Sequence, residues 1–337
     1  MRTSPDTVRA GAFDLAGTLA TLGRKAEGIG ARRIVFDSLD VMLRLIDDPE
    51  RQRQEVYRIH DWLSGRDLTG LITARLDPAA DESSVAHGFL PFIADCVVRL
   101  SRRVEDRIAL RSLQVVKYRG SGFTENEAPL VIGPAGIEVA RPGSTAFECR
   151  ISEERVSTGI VALDDMLRGG YFRATSMVVT GASGTAKTTL AGAFAEATCL
   201  RHERALYICF DEGTQEVIRN LRSVDIQLEP HVASGLLRIT AARAESRSAD
   251  AHLLRIRALI DEHQPRCLII DPLSAITRAG GAVPALSVAR RLIYHTKREG
   301  ITLLCTSLLA GTEPDVEATP LAISTLADTW IHLSYQA

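Results

Sequence analysis

The segment GASGTAKT at residues 181–188 has the residue types and spacing of a phosphate cradle. In the pattern Gly-x4-Gly-Lys-[Ser/Thr], a strand feeds a tight turn whose backbone N–H groups point inward at phosphate oxygens. The following helix adds its positive N-terminal end. Here Gly181, Ala182, Ser183, Gly184 and Thr185 form the turn. Lys187 is placed to reach the β- and γ-phosphates, the Thr188 hydroxyl to ligate Mg²⁺, and Thr189 to continue the nucleotide-binding segment. Ala186 stands where the second glycine of the pattern belongs. Alanine suits that position if the backbone there is already helical, and suits it poorly if φ is positive. The expected ligand is ATP or a similar nucleoside triphosphate with Mg²⁺.

Other residues fit chemistry around such a cradle. Asp271 closes the apolar run Cys-Leu-Ile-Ile, so its carboxylate sits at a strand end where it can hold the Mg²⁺ shell. Asp211-Glu212 end the strand after the cradle's helix, where a carboxylate can polarise a water or hydroxyl for attack on the γ-phosphate. The same pair reads alternatively as a solvated strand end or a helix cap. Thr306-Ser307 end another apolar strand, positioned either to sense phosphate or to hydrogen-bond within a turn. Lys117 and Arg119 flank one aromatic residue on a long strand, and alternate positions share a face. They are either a charged edge or a cation pair delivered to another subunit's triphosphate. On composition alone Ser324-Thr325 are an ordinary turn or helix cap.

The elements that must position these groups alternate. Strands are expected at Ser176–Thr180, Ala205–Phe210, Leu236–Thr240, Cys267–Ile270, Ile301–Ser307 and Thr329–Leu333. Helices are expected at Thr188–Leu200, Val217–Val224, Ala251–Glu262 and Leu286–Arg298, with an amphipathic piece ending in Gly-Gly at Val156–Gly170. Unbroken apolar strands alternating with helices imply a parallel sheet covered on both faces, an α/β fold. An earlier block has helices at Leu15–Glu27 and Arg51–Leu63 and strands at Arg33–Phe36, Gly70–Thr73 and Cys96–Leu100, followed by the run Ile108–Val116. It repeats part of this order. RRIVFDSLDVMLRL (32–45) parallels RCLIIDPLSAITRA (266–279), and FIADCVVRL (92–100) parallels TLADTWIHL (325–333). The expected organisation is a first, incomplete unit over 1–140, a linker over 141–155, and a P-loop unit over 156–337.

Bulk properties narrow the class. With 40 basic and 42 acidic residues the chain has no polycationic character for unspecific nucleic-acid binding. Six scattered cysteines form no CxxC pair, which points to a reducing cytoplasm and against structural zinc. No apolar run approaches the roughly 20 residues of a membrane helix, and the N-terminal MRTSPDTVRAG lacks the apolar stretch of a signal peptide.

VSTGIVALDDMLRGG, the P-loop, FDEG, CLIIDPLSAI and LAISTLADT together resemble the second ATPase domain of the KaiC family. RRIVFDSLD, WLSGRDLTGLITA, FIADCVVRL and KYRGSGF resemble the later half of its first domain. The resemblance covers nearly the whole chain in order. It implies a RecA-like P-loop NTPase fold and an ATPase and serine-threonine autokinase, circadian or not, that assembles as a double-ring hexamer with ATP between subunits. Asp211 and Glu212 match its paired catalytic carboxylates, normally Glu-Glu. Ser324 and Thr325 match its phosphorylated pair, with Thr319 at the neighbouring phosphorylatable threonine. Lys117 and Arg119 match the cation pair presented across a subunit interface. The first unit lacks a P-loop, and the second lacks its own Lys-x-Arg hairpin. The expectation is therefore a fragment of a longer two-domain protein. A permuted form, with residues 96–140 completing the sheet of 156–337, is the alternative. The competing functions are a DNA-dependent RecA/RadA-type ATPase, which the neutral Gly280–Val283 segment disfavours, and a non-catalytic nucleotide-gated scaffold.

Overall fold

In the computed structural model, residues 14–46, 48–75, 89–105, 107–133, 136–139, 151–308 and 325–335 are described. They belong to two units, Met1–Arg99 with Val115–Glu125, and Leu100–Gln114 with Asn126–Ala337. These differ from the repeat boundaries because they follow contact, whereas the repeat follows sequence likeness.

The first unit begins with α1 (Leu15–Gly28), whose first turn is capped by the Asp14 carboxylate accepting from the Gly17 amide. Then come β1 (Arg33–Phe36), α2 (Leu39–Leu43), α3 (Pro49–Ser64), β2 (Thr69–Ile72) and α4 (Leu90–Ile93). Asp48 caps α3, and proline occupies its first turn, where no intrahelical N–H bond is lost. β1 and β2 pair in parallel. Leu15 and Leu19 of α1, Phe36 of β1, and Val56, Ile59 and Leu63 of α3 close one apolar core. Beyond the paired strands, the Thr73 hydroxyl donates to Asp37 Oδ1 at 2.6 Å.

β3 (Cys96–Glu105) and β4 (Ile108–Tyr118) contribute residues to both units. With β5 (Ala128–Gly133) and β6 (Gly136–Val139) they form a four-stranded sheet in the order β3-β4-β5-β6. The antiparallel β5–β6 pair is absent from the sequence expectation, although PLVIG-PA-GIEV has a hairpin's pattern of two apolar runs around a Pro/Gly turn. The permuted alternative is corrected here. Among the described residues, strands β3 to β6 form a sheet of their own and add no strand to the six-stranded sheet of the later residues.

The second unit opens with β7 (Arg155–Val156), α5 (Val161–Met166) and β8 (Tyr171–Phe172), where sequence suggested one amphipathic piece. β9 (Ser176–Gly181) then runs into α6 (Lys187–Leu200), followed by β10 (Ala205–Cys209), α7 (Thr214–Arg222), α8 (Glu229–Ala233) and β11 (Leu237–Ala241). The chain continues through α9 (Ala249–His263), β12 (Cys267–Asp271), a 3-10 helix at Leu273–Ala279, α10 (Ala282–Glu299), β13 (Thr302–Leu308) and β14 (Thr329–Leu333). The six long strands lie in the order β11-β10-β12-β13-β9-β14, and they pair in parallel.

Strand alternation divides the interior into two cores. Leu206, Ile208, Leu268, Ile270, Leu303 and Cys305 face α9 and α10. Ala205, Tyr207, Cys209, Cys267, Ile269 and Leu304 face α6 and α7. This two-sided burial explains why the strands read as continuous apolar runs. At the start of β9, Asp328 Oδ2 accepts from the amide and the hydroxyl of Ser176, each at 2.8 Å. Its Oδ1 pairs with Lys297 at 2.7 Å. These bonds fix the edge strand β14 against the strand that carries the cradle.

Candidate nucleotide site

The turn 181–186 joins β9 to α6, as the glycine spacing predicts. Gly181 has room for no side chain, since a Cβ there would lie 2.4 Å from Thr185 Oγ1 and 2.6 Å from the Leu333 carbonyl oxygen. Gly184 needs a positive φ, +84°. Lys187 is buried at the first residue of α6. Its ammonium donates to the carbonyls of Gly181 and Ala182 at 2.9 and 2.6 Å. Burial lowers its pKa, and the negative charge of Asp271 acts in the opposite direction. The loop thus wraps around a desolvated cation facing a carboxylate. Ser183 is exposed at the loop tip, and Thr188 and Thr189 are half-buried in the first turn of the helix.

Ala186 has φ 67° and ψ 24°, a left-handed conformation directly before α6. The sequence left two possibilities for this alanine, and the unfavourable one holds. The strain is about 1–2 kcal/mol for a residue with a Cβ. Alanine is also a poorer helix cap than glycine. Ala186→Gly is expected to raise the melting temperature by a few degrees, the net of about 1 kcal/mol after the added freedom of the unfolded chain. Thermal unfolding monitored by circular dichroism checks this, and a lower melting temperature would mean that the turn tolerates the methyl group without strain.

Asp271 ends β12 and is buried. Tyr207 of β10 donates its hydroxyl to Asp271 Oδ2 at 2.6 Å. From the other neighbouring strand, β13, the Thr306 hydroxyl donates to Oδ1. Both Thr306 and Ser307 hydrogen-bond near the strand end. Ser307 Oγ donates to the Leu308 carbonyl at 3.2 Å. The Thr306–Asp271 bond matches Thr73–Asp37 in the first unit, so the repeat extends to an individual hydrogen bond.

The paired carboxylates differ in their surroundings. Asp211 is exposed and bound to Arg278 at 2.5 Å, and Arg278 also pairs with Glu245 at 2.6 Å. Glu212 is half-buried and accepts from Asn220 Nδ2 at 3.1 Å. Lys117 donates to the carbonyls of Pro91 and Phe92 at 2.7 and 3.3 Å. Arg119 reaches the Phe92 carbonyl at 3.2 Å and Asp95 Oδ1 at 3.2 Å. Both cations therefore lie on one side, as the alternation predicts, and are occupied within their own unit around α4. Thr325 is exposed just before β14, while Ser324 and Thr319 lie outside the described residues.

Three partners in this region escaped the sequence reading. Arg278 follows a featureless Ala-Ile-Thr. Tyr207 sits inside an apolar run, where the only available signal is that a buried tyrosine needs a hydrogen-bond partner. Tyr335, beyond β14, donates its hydroxyl to the Gly184 carbonyl at 2.8 Å.

Among the described residues, no cluster of three or more His, Cys, Asp or Glu could hold a metal alone. A nucleotide-bound Mg²⁺ needs less, because substrate phosphates and water fill most of its octahedron. The Thr188 hydroxyl and the Asp271 carboxylate are hard oxygen donors of the right kind. A buried ammonium in a glycine-lined turn fits a polyphosphate.

The KaiC ATPase family matches residues 2–144 and 156–337, nearly all of the sequence. The chain belongs to the KaiC ATPase family. It is 37% identical to the "Circadian clock protein KaiC2" of Synechocystis sp. over 96% of its own length and 57% of that protein's. The "Circadian clock oscillator protein KaiC" of Prochlorococcus marinus is 31% identical over 97% of this chain and 65% of its own length. That of Synechococcus elongatus is 30% identical over 96% and 62%. The chain thus spans about three fifths of the length of the KaiC proteins it matches. No described helix is long and apolar enough to cross a membrane.

Proposed function

We propose that this chain is the nucleotide-handling part of a cytoplasmic KaiC-type ATPase and autokinase that signals by nucleotide-dependent assembly. One observation carries the reading. Lys187 is buried in the turn between β9 and α6, with the Asp271 carboxylate acting on it from the end of β12. In this reading residues 181–189 bind the phosphates of ATP, and Thr188 and Asp271 hold Mg²⁺. The metal supplies charge neutralisation of the β- and γ-oxygens. Glu212, which no cation ties down in the described hydrogen bonds, takes the proton of the attacking oxygen. Asp211, bound to Arg278, orients or restrains it. The attacking group is water, giving slow hydrolysis, or the hydroxyl of Ser324 or Thr325 of a neighbouring subunit. In either case the new bond forms to the γ-phosphorus, the β–γ bond breaks, and ADP leaves.

The same proposal takes residues 1–140 as the end of a first KaiC-like domain, 141–155 as linker and 156–337 as the ATPase domain. The assembly is a homo-hexamer in the whole protein, in which Lys117 and Arg119 exchange their present carbonyl partners for a neighbour's triphosphate. Partners are other signalling proteins, not nucleic acid. The test is phosphopeptide mass spectrometry of the whole protein after incubation with Mg·ATP. Phosphate on Ser324 or Thr325 is the expected result.

A second reading has its own support. The Asp211–Arg278 pair and the strained Ala186 suit a scaffold that holds ATP without turning it over. Bound ATP with neither ADP nor phosphopeptide after long incubation would decide for the scaffold.

A further inference from the structure

Asp271 is held from both sides by hydroxyls of neighbouring strands. The Thr306 bond recurs as Thr73–Asp37 in the first unit, so it belongs to the repeated architecture. The Tyr207 bond arises from β10, the strand directly after the P-loop helix. In register, Cys209 stands beside Asp271 and Tyr207 beside Ile269, so the phenol reaches forward along β10 to the carboxylate. Tyr207 is fully buried on the face of the sheet that α6 covers, the helix that begins with Lys187.

A carboxylate at a strand end can rotate and offer either oxygen to a cation. Here Oδ2 is fixed by Tyr207 and Oδ1 by Thr306, so its rotation is stopped and its remaining lone pairs keep one direction. We propose that Tyr207 is a positioning residue for the Mg²⁺ of bound nucleotide, setting the plane of the Asp271 carboxylate. The inference rests on the nucleotide-binding reading above and deepens it. Outer partners of this kind are worth 10–100-fold in metal affinity in other proteins.

The experiment uses the full 337-residue chain and a fluorescent ATP analogue, titrated with Mg²⁺ at fixed nucleotide. Tyr207→Phe removes one oxygen and keeps the ring that fills the core. It is expected to raise the Mg²⁺ concentration at half-maximal enhancement about tenfold or more, with binding in EDTA unchanged. Tyr171→Phe is the control. It removes a buried hydroxyl of the same core that has no hydrogen-bond partner among the described residues, and is expected to leave the midpoint in place. An unchanged midpoint in Tyr207→Phe overturns the inference and leaves nucleotide binding intact. Equal loss of binding with and without Mg²⁺ makes Tyr207 a residue of the fold and also overturns it. If the unaltered chain binds no nucleotide, the functional reading falls, and the inference falls with it.

Discussion

Lys187→Ala is expected to remove measurable nucleotide binding. The side chain is buried, it lies inside the turn that would surround the phosphates, and among the described residues its ammonium donates to two carbonyls of that turn. Phosphate oxygens are stronger acceptors than carbonyls, so a bound triphosphate would draw the ammonium away from Gly181 and Ala182. Truncating one partner of a desolvated charge pair costs about 2–5 kcal/mol, roughly 30- to 4,000-fold in Kd. Isothermal titration with ATP and Mg²⁺ measures it. The variant also leaves Asp271 without the nearby cation, so a thermal melt accompanies the titration to show that the chain is folded. Lys187→Arg is expected to bind weakly too. A planar guanidinium is larger than the ammonium and cannot turn its donors onto the two carbonyls in the same way. Unchanged affinity in a folded Lys187→Ala chain would move the nucleotide site elsewhere.

The residues of the cradle were legible because their chemistry is local. A turn that binds phosphate with backbone amides needs glycines at set intervals and a helix start immediately after. That pattern survives in sequence even with Ala186 in place of glycine. The six strands were legible for a related reason, since burial on both faces leaves no polar alternation to blur them. Boundaries moved by a few residues at α10, which begins at Ala282 where sequence suggested Leu286. The first turn, AVPA, has no apolar periodicity, and proline there is compatible with a helix start. The β5–β6 pair was missed because its short apolar runs lie outside the repeated segments.

The surroundings of the carboxylates were not legible, and the reason is distance along the chain. Asp211 meets Arg278 across 67 positions and Asp271 meets Tyr207 across 64. Such contacts are created by strand order, and the order β10-β12-β13-β9 follows from the fold and from no motif. The family resemblance named Asp211 and Glu212 as equivalents. Only the structure shows that, among the described residues, Asp211 is bound to an arginine and Glu212 to an asparagine. Likewise, alternate spacing placed Lys117 and Arg119 on one face, but the carbonyls of Pro91 and Phe92 that hold them come from a helix more than twenty residues earlier.

Gly170→Ala is expected to destabilise the second unit severely, although it touches no nucleotide-binding residue. The Gly-Gly ending of the VSTGIVALDDMLRGG segment marks two positions with positive φ, +110° at Gly169 and +97° at Gly170. Their surroundings differ. A Cβ on Gly170 would lie 2.1 Å from the Val156 carbonyl oxygen and 2.8 Å from its carbon, both backbone atoms of β7. On Gly169 the nearest atom is the Arg155 Cβ at 3.7 Å, an ordinary contact. Gly169→Ala therefore carries conformational strain alone, about 1–2 kcal/mol. Gly170→Ala adds a collision that only separation of β7 from β8 relieves, and about 3 kcal/mol or more is expected. Separation would also shift Tyr171, which packs edge-on against Phe194 of α6 at 5.2 Å, and so disturb the helix that starts at Lys187. At about 2–4 °C per kcal/mol for a unit of this size, melting should fall by roughly 6–12 °C in Gly170→Ala and by about half that or less in Gly169→Ala. Differential scanning calorimetry of the two variants separates strain from collision. Equal shifts would mean that positive φ, and not the closeness of β7, is what requires glycine at 170.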